Sequence, residues 1–239
     1  MGIGPGSIED MSGRAQRALE QSDYIVGYDT YLKLIQPLLA GKEIVGTGMM
    51  QEIERCRRAV ELAGEGKTVA VVSSGDPGIY GMAGLVLELA QQAPEGKQPD
   101  VKVIPGISAV SAAAAVLGAP LMHDFAVISL SDLLTPWEVI VKRLEAAAAS
   151  DFVVALYNPK SMRRTEQIKE ARRIMLANRP ETTPVGIVTN ASREGETAVI
   201  SNLADFLQED IAMFSLVIIG NSRTFVQDGK MITPRGYQV

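Results

Sequence analysis

Four glycines, a proline and an aspartate crowd the stretch Ser73-Ser74-Gly75-Asp76-Pro77-Gly78-Ile79-Tyr80-Gly81-Met82-Ala83-Gly84, directly after the apolar run Thr68–Val72. Asp-Pro and Pro-Gly are turn-forming pairs, so one reading is a bare connection between strand and helix. The other reading is a ligand site, because ligands of open α/β sheets bind at the carboxyl ends of the strands. Gly75 then removes a side chain where a ligand could lie, and Asp76 offers an anion to an ammonium or to hydroxyls. Two further glycine-rich stretches have similar composition, Gly2-Ile3-Gly4-Pro5-Gly6-Ser7 and Pro105-Gly106-Ile107-Ser108-Ala109. No phosphate-binding lysine follows any of them, which points to a small ligand contacted mostly by backbone.

Several familiar chemistries are absent. No G-x-x-x-x-G-K-[ST] phosphate loop and no G-x-S-x-G nucleophile elbow occurs. The Gly2–Ser7 stretch fails the dinucleotide fingerprint, because Ser7 holds the third glycine position, Pro5 interrupts the turn and almost no strand precedes it. A single histidine, His123, excludes a paired-histidine metal site, and a single cysteine, Cys56, excludes both an internal disulfide and a thiolate metal cluster. His123 beside Asp124 has the chemistry of a general base, but also of a structural histidine at a strand start. Weak acid–base machinery suits a reaction whose cosubstrate carries its own reactivity, the protein supplying orientation and a dry site.

The elements that must position these residues alternate. Strands are expected at Tyr24–Gly27, Val69–Ser73 and Val101–Ile104. Helices are expected at Glu52–Ala63 (apolar at Ile53, Cys56, Val60 and Ala63), Gly81–Gln91 and Ser108–Leu117, with Ser108 as N-cap. Leu117-Gly118-Ala119-Pro120 breaks an alanine-rich helix and is taken as a boundary between domains 1–118 and 119–239. Beyond it, strands are expected at Phe125–Leu130, Phe152–Tyr157, Pro184–Thr189, Ala198–Ser201 and Phe214–Ile219. Thr135-Pro136-Trp137-Glu138 reads as a capping box opening a helix, and Ser161 precedes another running to about Asn178. The whole reads as an α/β protein with largely parallel sheets.

The chain has 239 residues, 46% of them hydrophobic, and a formal net charge of −5. The composition is that of a globular protein, and the negative balance argues against a nucleic-acid partner. No apolar run approaches the length of a membrane span, no export signal is visible, and the lone cysteine fits a reducing compartment, so a cytoplasmic location is expected.

Taken in order, Gly2–Gly6, the Gly75–Tyr80 loop, Pro105–Ala109 and the strand ending Leu156-Tyr157-Asn158 resemble the tetrapyrrole methylase family. The stretches Gly118–Glu138 and Ala155–Arg164 strengthen the resemblance, since general α/β folding does not demand Ser-Asp-Leu-Leu-Thr-Pro-Trp. The resemblance implies two α/β domains with S-adenosylmethionine in the cleft between them, usually in a homodimer. The activity it implies is C-methylation at C17 of a precorrin-3-type tetrapyrrole in cobalamin biosynthesis, linked to contraction of the macrocycle. S-adenosylhomocysteine would be the coproduct. Carried over by position, Pro5, Ser74, Gly75, Asp76, Ile79, Ser108 and Ala109 would contact the cofactor, joined by Asn158 and Ala191 at the adenosine. Asn158 stands where many relatives have methionine and Ala191 where many have glycine. Relatives also have several apolar residues before the first glycine stretch, where this sequence has only Met1, so a short first strand is expected.

A polycarboxylate substrate calls for cations, and Lys160, Arg163, Arg164 and Arg193 are the candidates. Proton transfer during contraction would fall to His123, Ser131 and Asp132, with Ser129 nearby; Ser131 and Asp132 could equally cap a helix. Trp137 reads as packing. Other readings are a family member acting at a different corrin carbon or on ribosomal RNA, a non-catalytic nucleotide-sensing module, and, least favoured, a nicotinamide dehydrogenase.

Overall fold

The computed structural model describes residues 1–48 and 50–238. The chain divides into two compact units, Met1–Ala109 and Val110–Val239.

In the first unit the elements run α1 (Gly13–Gln21), β1 (Tyr24–Tyr28), α2 (Asp29–Leu34), β2 (Glu43–Thr47), α3 (Glu52–Gly64), β3 (Val69–Val71) and α4 (Ala83–Gln91). The strands form a parallel sheet in the order β2-β1-β3. Helices between parallel strands provide the long crossovers that such pairing requires. Helix α1 is capped by Ser12, whose Oγ accepts the Ala15 N–H at 3.2 Å. Ile3, Leu19, Ile25, Ile35 and Val72 are fully buried in one apolar core. Residues 101–104 do not form the expected strand. That segment approaches the chain's first residues instead, with Gly2 N–H donating to Ile104 O at 2.9 Å.

The second unit follows with α5 (Ala109–Leu117, which starts one residue before the division), β4 (Gly118–Ala119), β5 (Phe125–Ser129), α6 (Trp137–Ala149), β6 (Val153–Tyr157) and α7 (Gln167–Leu176). It continues with β7 (Pro184–Thr189), β8 (Thr197–Asn202), β9 (Ser215–Ile219), β10 (Phe225–Gln227) and β11 (Lys230–Ile232). Five strands make one mixed sheet, β5-β6-β9-β7-β8, and a second small sheet has the order β10-β11-β4. Only β5 and β6 are parallel neighbours in the large sheet. The expectation of largely parallel pairing fails here for a geometric reason. The seven residues Asn190–Glu196 joining β7 to β8 permit a hairpin but not a crossover, and β9 enters antiparallel to both β6 and β7.

Alternate residues Val154 and Leu156, Val185 and Ile187, Val217 and Ile219 share one sheet face with Leu144 of α6 and Met175 of α7. On the other face Gly186 leaves room for Leu117 of α5; a Cβ there would sit 2.4 Å from Leu117 Cδ1. Each fully buried leucine or isoleucine contributes roughly 1.5–3 kcal/mol relative to exposure. Two local expectations are corrected. Pro136, with ψ 139°, is the N-cap of α6 and no side chain caps it, so the Thr135 capping box does not form. Helix α7 begins at Gln167 because Ser161–Arg164 closes on itself, Ser161 N–H to Arg164 O at 3.0 Å and Arg164 N–H to Ser161 Oγ at 3.1 Å.

Candidate functional site

The three glycine stretches of the first unit converge. Met1–Gly4 runs alongside the continuation of β3: Ser73 N–H donates to Met1 O and Ile3 N–H to Ser73 O, both at 2.9 Å, and Gly75 N–H donates to Gly4 O at 2.7 Å. The first strand expected to be short is thus two bridges, Gly2 to Ser73 and Gly4 to Gly75. Gly75 has φ +67°, a left-handed conformation that favours glycine. Its carbonyl oxygen lies where Gly2 and Gly106 are also obliged to be glycine, since a Cβ at either would fall within 2.4 Å or 2.2 Å of it. Three glycines from three stretches therefore share one close approach of backbone to backbone.

Asp76 fixes that junction. Its Oδ1 accepts the Gly78 N–H at 2.8 Å, turning its own loop, and its Oδ2 accepts the Gly106 N–H at 3.0 Å, tying the loop to the next. Ser73 Oγ accepts the Met82 N–H at 3.3 Å and closes the far end of the loop. Pro5 and Ser108 are buried, Ser74 and Ala109 half-buried, and Ile79 presents an exposed apolar side chain. The arrangement is a rigid backbone cradle with hydroxyls and one apolar side chain at its rim. Such a cradle suits a small molecule that has both polar and apolar parts.

Sequence reasoning missed Arg55. It is 2% exposed on α3 and is held at the carboxyl ends of β1 and β2. Nε donates to Thr47 Oγ1 at 2.6 Å, Nη2 to Gly48 O at 2.9 Å and Nη1 to Met82 Sδ at 3.4 Å, and the guanidinium lies 5.8 Å from the Tyr28 ring centre. The signal was present in the spacing: Arg55, Ala59 and Leu62 lie on one buried stripe, whereas Ile53, expected to be buried, is exposed. Cys56 is fully buried beside it, and burial pushes its thiol up to about 11.

In the second unit, β5, β6 and β7 point the same way and end on one edge of the sheet. Asn158 (φ 50°), Asn190 (φ 56°) and Ser192 (φ 58°) turn the chain sharply there. Asn158 Nδ2 donates to Ser129 Oγ at 2.9 Å, and Ser129 Oγ also accepts the Ser131 N–H at 3.2 Å. Arg164 reaches across, Nε to Asn158 O at 3.2 Å and Nη1 to Ser131 Oγ at 3.5 Å. Asp132 Oδ2 accepts from Gln167 Nε2 at 2.9 Å. Ala191 is half-buried in the turn closed by Arg193 N–H to Asn190 O at 2.9 Å, and the Arg193 guanidinium lies 5.7 Å from the Phe214 ring centre.

Ser129, Ser131, Asp132, Asn158 and Arg164 are thus brought together. Lys160 and Arg163 stand exposed on the same loop as Arg164. His123 is not with Ser131 and Asp132: it precedes β5, whose five residues separate it from Ser129 by a span on the order of 15 Å. There its Nδ1 accepts the Asp124 N–H at 2.9 Å. Tyr157 Oη accepts the Val110 N–H at 3.0 Å, serving the first turn of α5. Among the described residues no group of three or more His, Cys, Asp or Glu could hold a metal ion, and no helix is long and apolar enough to cross a membrane.

Comparison with known proteins gives a consistent result. The family model for tetrapyrrole (corrin/porphyrin) methylases matches residues 1–207. A Priestia megaterium protein named cobalt-factor III methyltransferase is 56% identical over all of this chain, which spans 44% of that protein's length. A Salmonella typhimurium protein named probable cobalt-factor III C(17)-methyltransferase is 51% identical, the match covering 99% of this chain and 98% of the relative. Among solved structures, that of the methyltransferase CobJ superposes with a TM-score of 0.92 at 36% identity, covering 98% of this chain and 97% of that one.

Proposed function

Because this chain belongs to the tetrapyrrole methylase family, we propose that it is an S-adenosylmethionine-dependent C-methyltransferase acting at C17 of cobalt-factor III in cobalamin biosynthesis. The observation that carries this reading is the 51% identity, end to end, with a relative named for that reaction.

Bound S-adenosylmethionine supplies an electrophilic methyl on a sulfonium leaving group, so the protein's task is in-line placement and exclusion of water. Pro5, Ser74, Gly75, Asp76, Ile79, Ser108 and Ala109 are proposed to hold it, with Asn158 and Ala191 at the adenosine. In this reading Asp76 acts by shaping the cradle, since both of its carboxylate oxygens already accept backbone N–H groups. Lys160, Arg163 and Arg193 are proposed to meet carboxylate arms of the substrate. Ring contraction is proposed to accompany methylation. Ser131 and Asp132, at the sheet edge, are its proposed proton-handling groups; the position of His123 at the other end of β5 argues for a structural role. A homodimer and a cytoplasmic location complete the proposal, the former to be checked by sedimentation.

The test is an anaerobic incubation with S-adenosylmethionine and either cobalt-factor III or metal-free precorrin-3B, followed by mass spectrometry. Gain of one methyl on the cobalt compound, placed at C17 by NMR, is the expected result. No gain on either compound by a protein that binds S-adenosylhomocysteine would sink the C17 assignment.

A further inference from the structure

The loops that follow β5 and β6 carry an exposed apolar surface next to unpaired cations. Leu133 is 69% exposed, Leu134 93% and Met162 fully exposed, in a unit whose other leucines are mostly buried. The connection from β6 to α7, residues 158–166, holds Lys160, Arg163 and Arg164 against one carboxylate, Glu166, which Lys169 engages at 2.7 Å, in a chain whose net charge is −5. Among the described residues none of these three cations is in an ion pair. The neighbouring Asp132 is engaged by Gln167.

The loops are also preformed. Asn158 to Ser129, Arg164 to Ser131 and Gln167 to Asp132 stitch them side by side, and Arg164 is oriented by two acceptors on its Nε and Nη1. Holding a long guanidinium in one geometry costs side-chain entropy before any ligand arrives. A guanidinium so fixed offers its remaining N–H groups as a fork suited to a carboxylate. Exposed leucines and a methionine offer the complementary surface for a flat apolar ring.

We propose that these two loops form the recognition platform for the tetrapyrrole, with Leu133, Leu134 and Met162 lying against the macrocycle and Arg164 binding one of its carboxylate arms. Lys160 and Arg163 add long-range attraction for the remaining arms. The inference rests on the methyltransferase reading for its substrate. It goes beyond that reading in assigning the apolar tips and in making Arg164, not Arg163, the fixed carboxylate ligand.

The experiment is an absorbance titration of the S-adenosylhomocysteine-loaded protein with cobalt-factor III, which needs no turnover. The variants are Leu133→Ser with Leu134→Ser, Met162→Ser, Arg164→Gln and Arg164→Lys, each also titrated with S-adenosylhomocysteine and sedimented. Tetrapyrrole affinity should fall about tenfold for each apolar variant and for Arg164→Gln, with partial recovery in Arg164→Lys and unchanged S-adenosylhomocysteine binding. Unchanged tetrapyrrole affinity in all variants overturns the platform. Loss of a dimer in the leucine variant without loss of tetrapyrrole affinity overturns it as well, and makes the patch a contact between copies. Wild-type protein that binds the tetrapyrrole without methylating it sinks the C17 reading alone, and the variants' affinities still decide the platform. Wild-type protein that does not bind it overturns both.

Discussion

Asp76 and Gly106, thirty residues apart, are joined by a hydrogen bond from the Gly106 N–H to Asp76 Oδ2 at 3.0 Å, while Oδ1 of the same carboxylate accepts from Gly78 at 2.8 Å. One anion therefore sets both the turn of its own loop and the distance to the next. A carboxylate does this well because it has only acceptors to offer two converging N–H groups. Asp76→Asn places an NH2 against one of those N–H groups. We expect S-adenosylhomocysteine affinity to fall about tenfold and stability by about 2 kcal/mol, a typical scale for a hydrogen bond to a charged group. Calorimetric titration and urea unfolding measure the two effects.

Gly106→Ala tests the junction from the other side. The added Cβ would fall 2.2 Å from the Gly75 carbonyl oxygen and 3.0 Å from Gly2 Cα, all backbone atoms that cannot swing aside. The loops must part, so cofactor affinity should drop by more than in Asp76→Asn. Gly75→Ala meets only ordinary contacts, the nearest at 3.5 Å, but must adopt φ +67°. Its cost should be the smaller, about 1–2 kcal/mol of stability. Reversal of that order in paired titrations would show that the backbone junction does not govern the cradle.

Which of these features were legible in the sequence follows from their range. The glycine stretches and the helices Glu52–Gly64 and Ala83–Gln91 depend on local chemistry and period, and they could be read directly. That Gly2 and Gly106 serve the Gly75 carbonyl could not, because the contact joins segments far apart in sequence. The same holds for β9 lying antiparallel between β6 and β7, since strand order is set by tertiary pairing. Arg164 was visible only as one of two adjacent arginines. It takes the Asn158 carbonyl and Ser131 hydroxyl to distinguish it from exposed Arg163.

Cys56 gives a pH-dependent prediction. Burial raises its thiol to about 11 in the folded chain, against about 8.5 in an unfolded one. Between those values the folded state holds a proton that the unfolded state has released, so stability falls as pH rises from about 9 towards 11. Cys56→Ala should flatten that decline in urea melts collected from pH 8 to 11. At pH 8 the native thiol should resist a disulfide reagent and react at once after unfolding. Fast reaction of the folded protein would show that the thiol is accessible.

Arg179, like Arg55, is a buried guanidinium, 5% exposed early in the connection from α7 to β7, with burial lowering its pKa. Nη1 donates to Gly220 O at 2.6 Å, and Nη2 to Phe152 O at 2.5 Å and to Ala147 O at 3.4 Å. These carbonyls lie at the end of α6, the entrance to β6 and the exit of β9, so one side chain ties three segments at a single corner of the second unit. Arg179→Met fills the space but satisfies none of the carbonyls. The expected loss is about 3 kcal/mol, since a buried acceptor left without its donor costs about 1–3 kcal/mol and three carbonyls lose theirs. In contrast to the loop variants, the surviving folded fraction should bind S-adenosylhomocysteine as tightly as the wild type. Urea unfolding and titration at low temperature separate these effects, and weakened binding by the folded fraction would mean that this corner also shapes the ligand site.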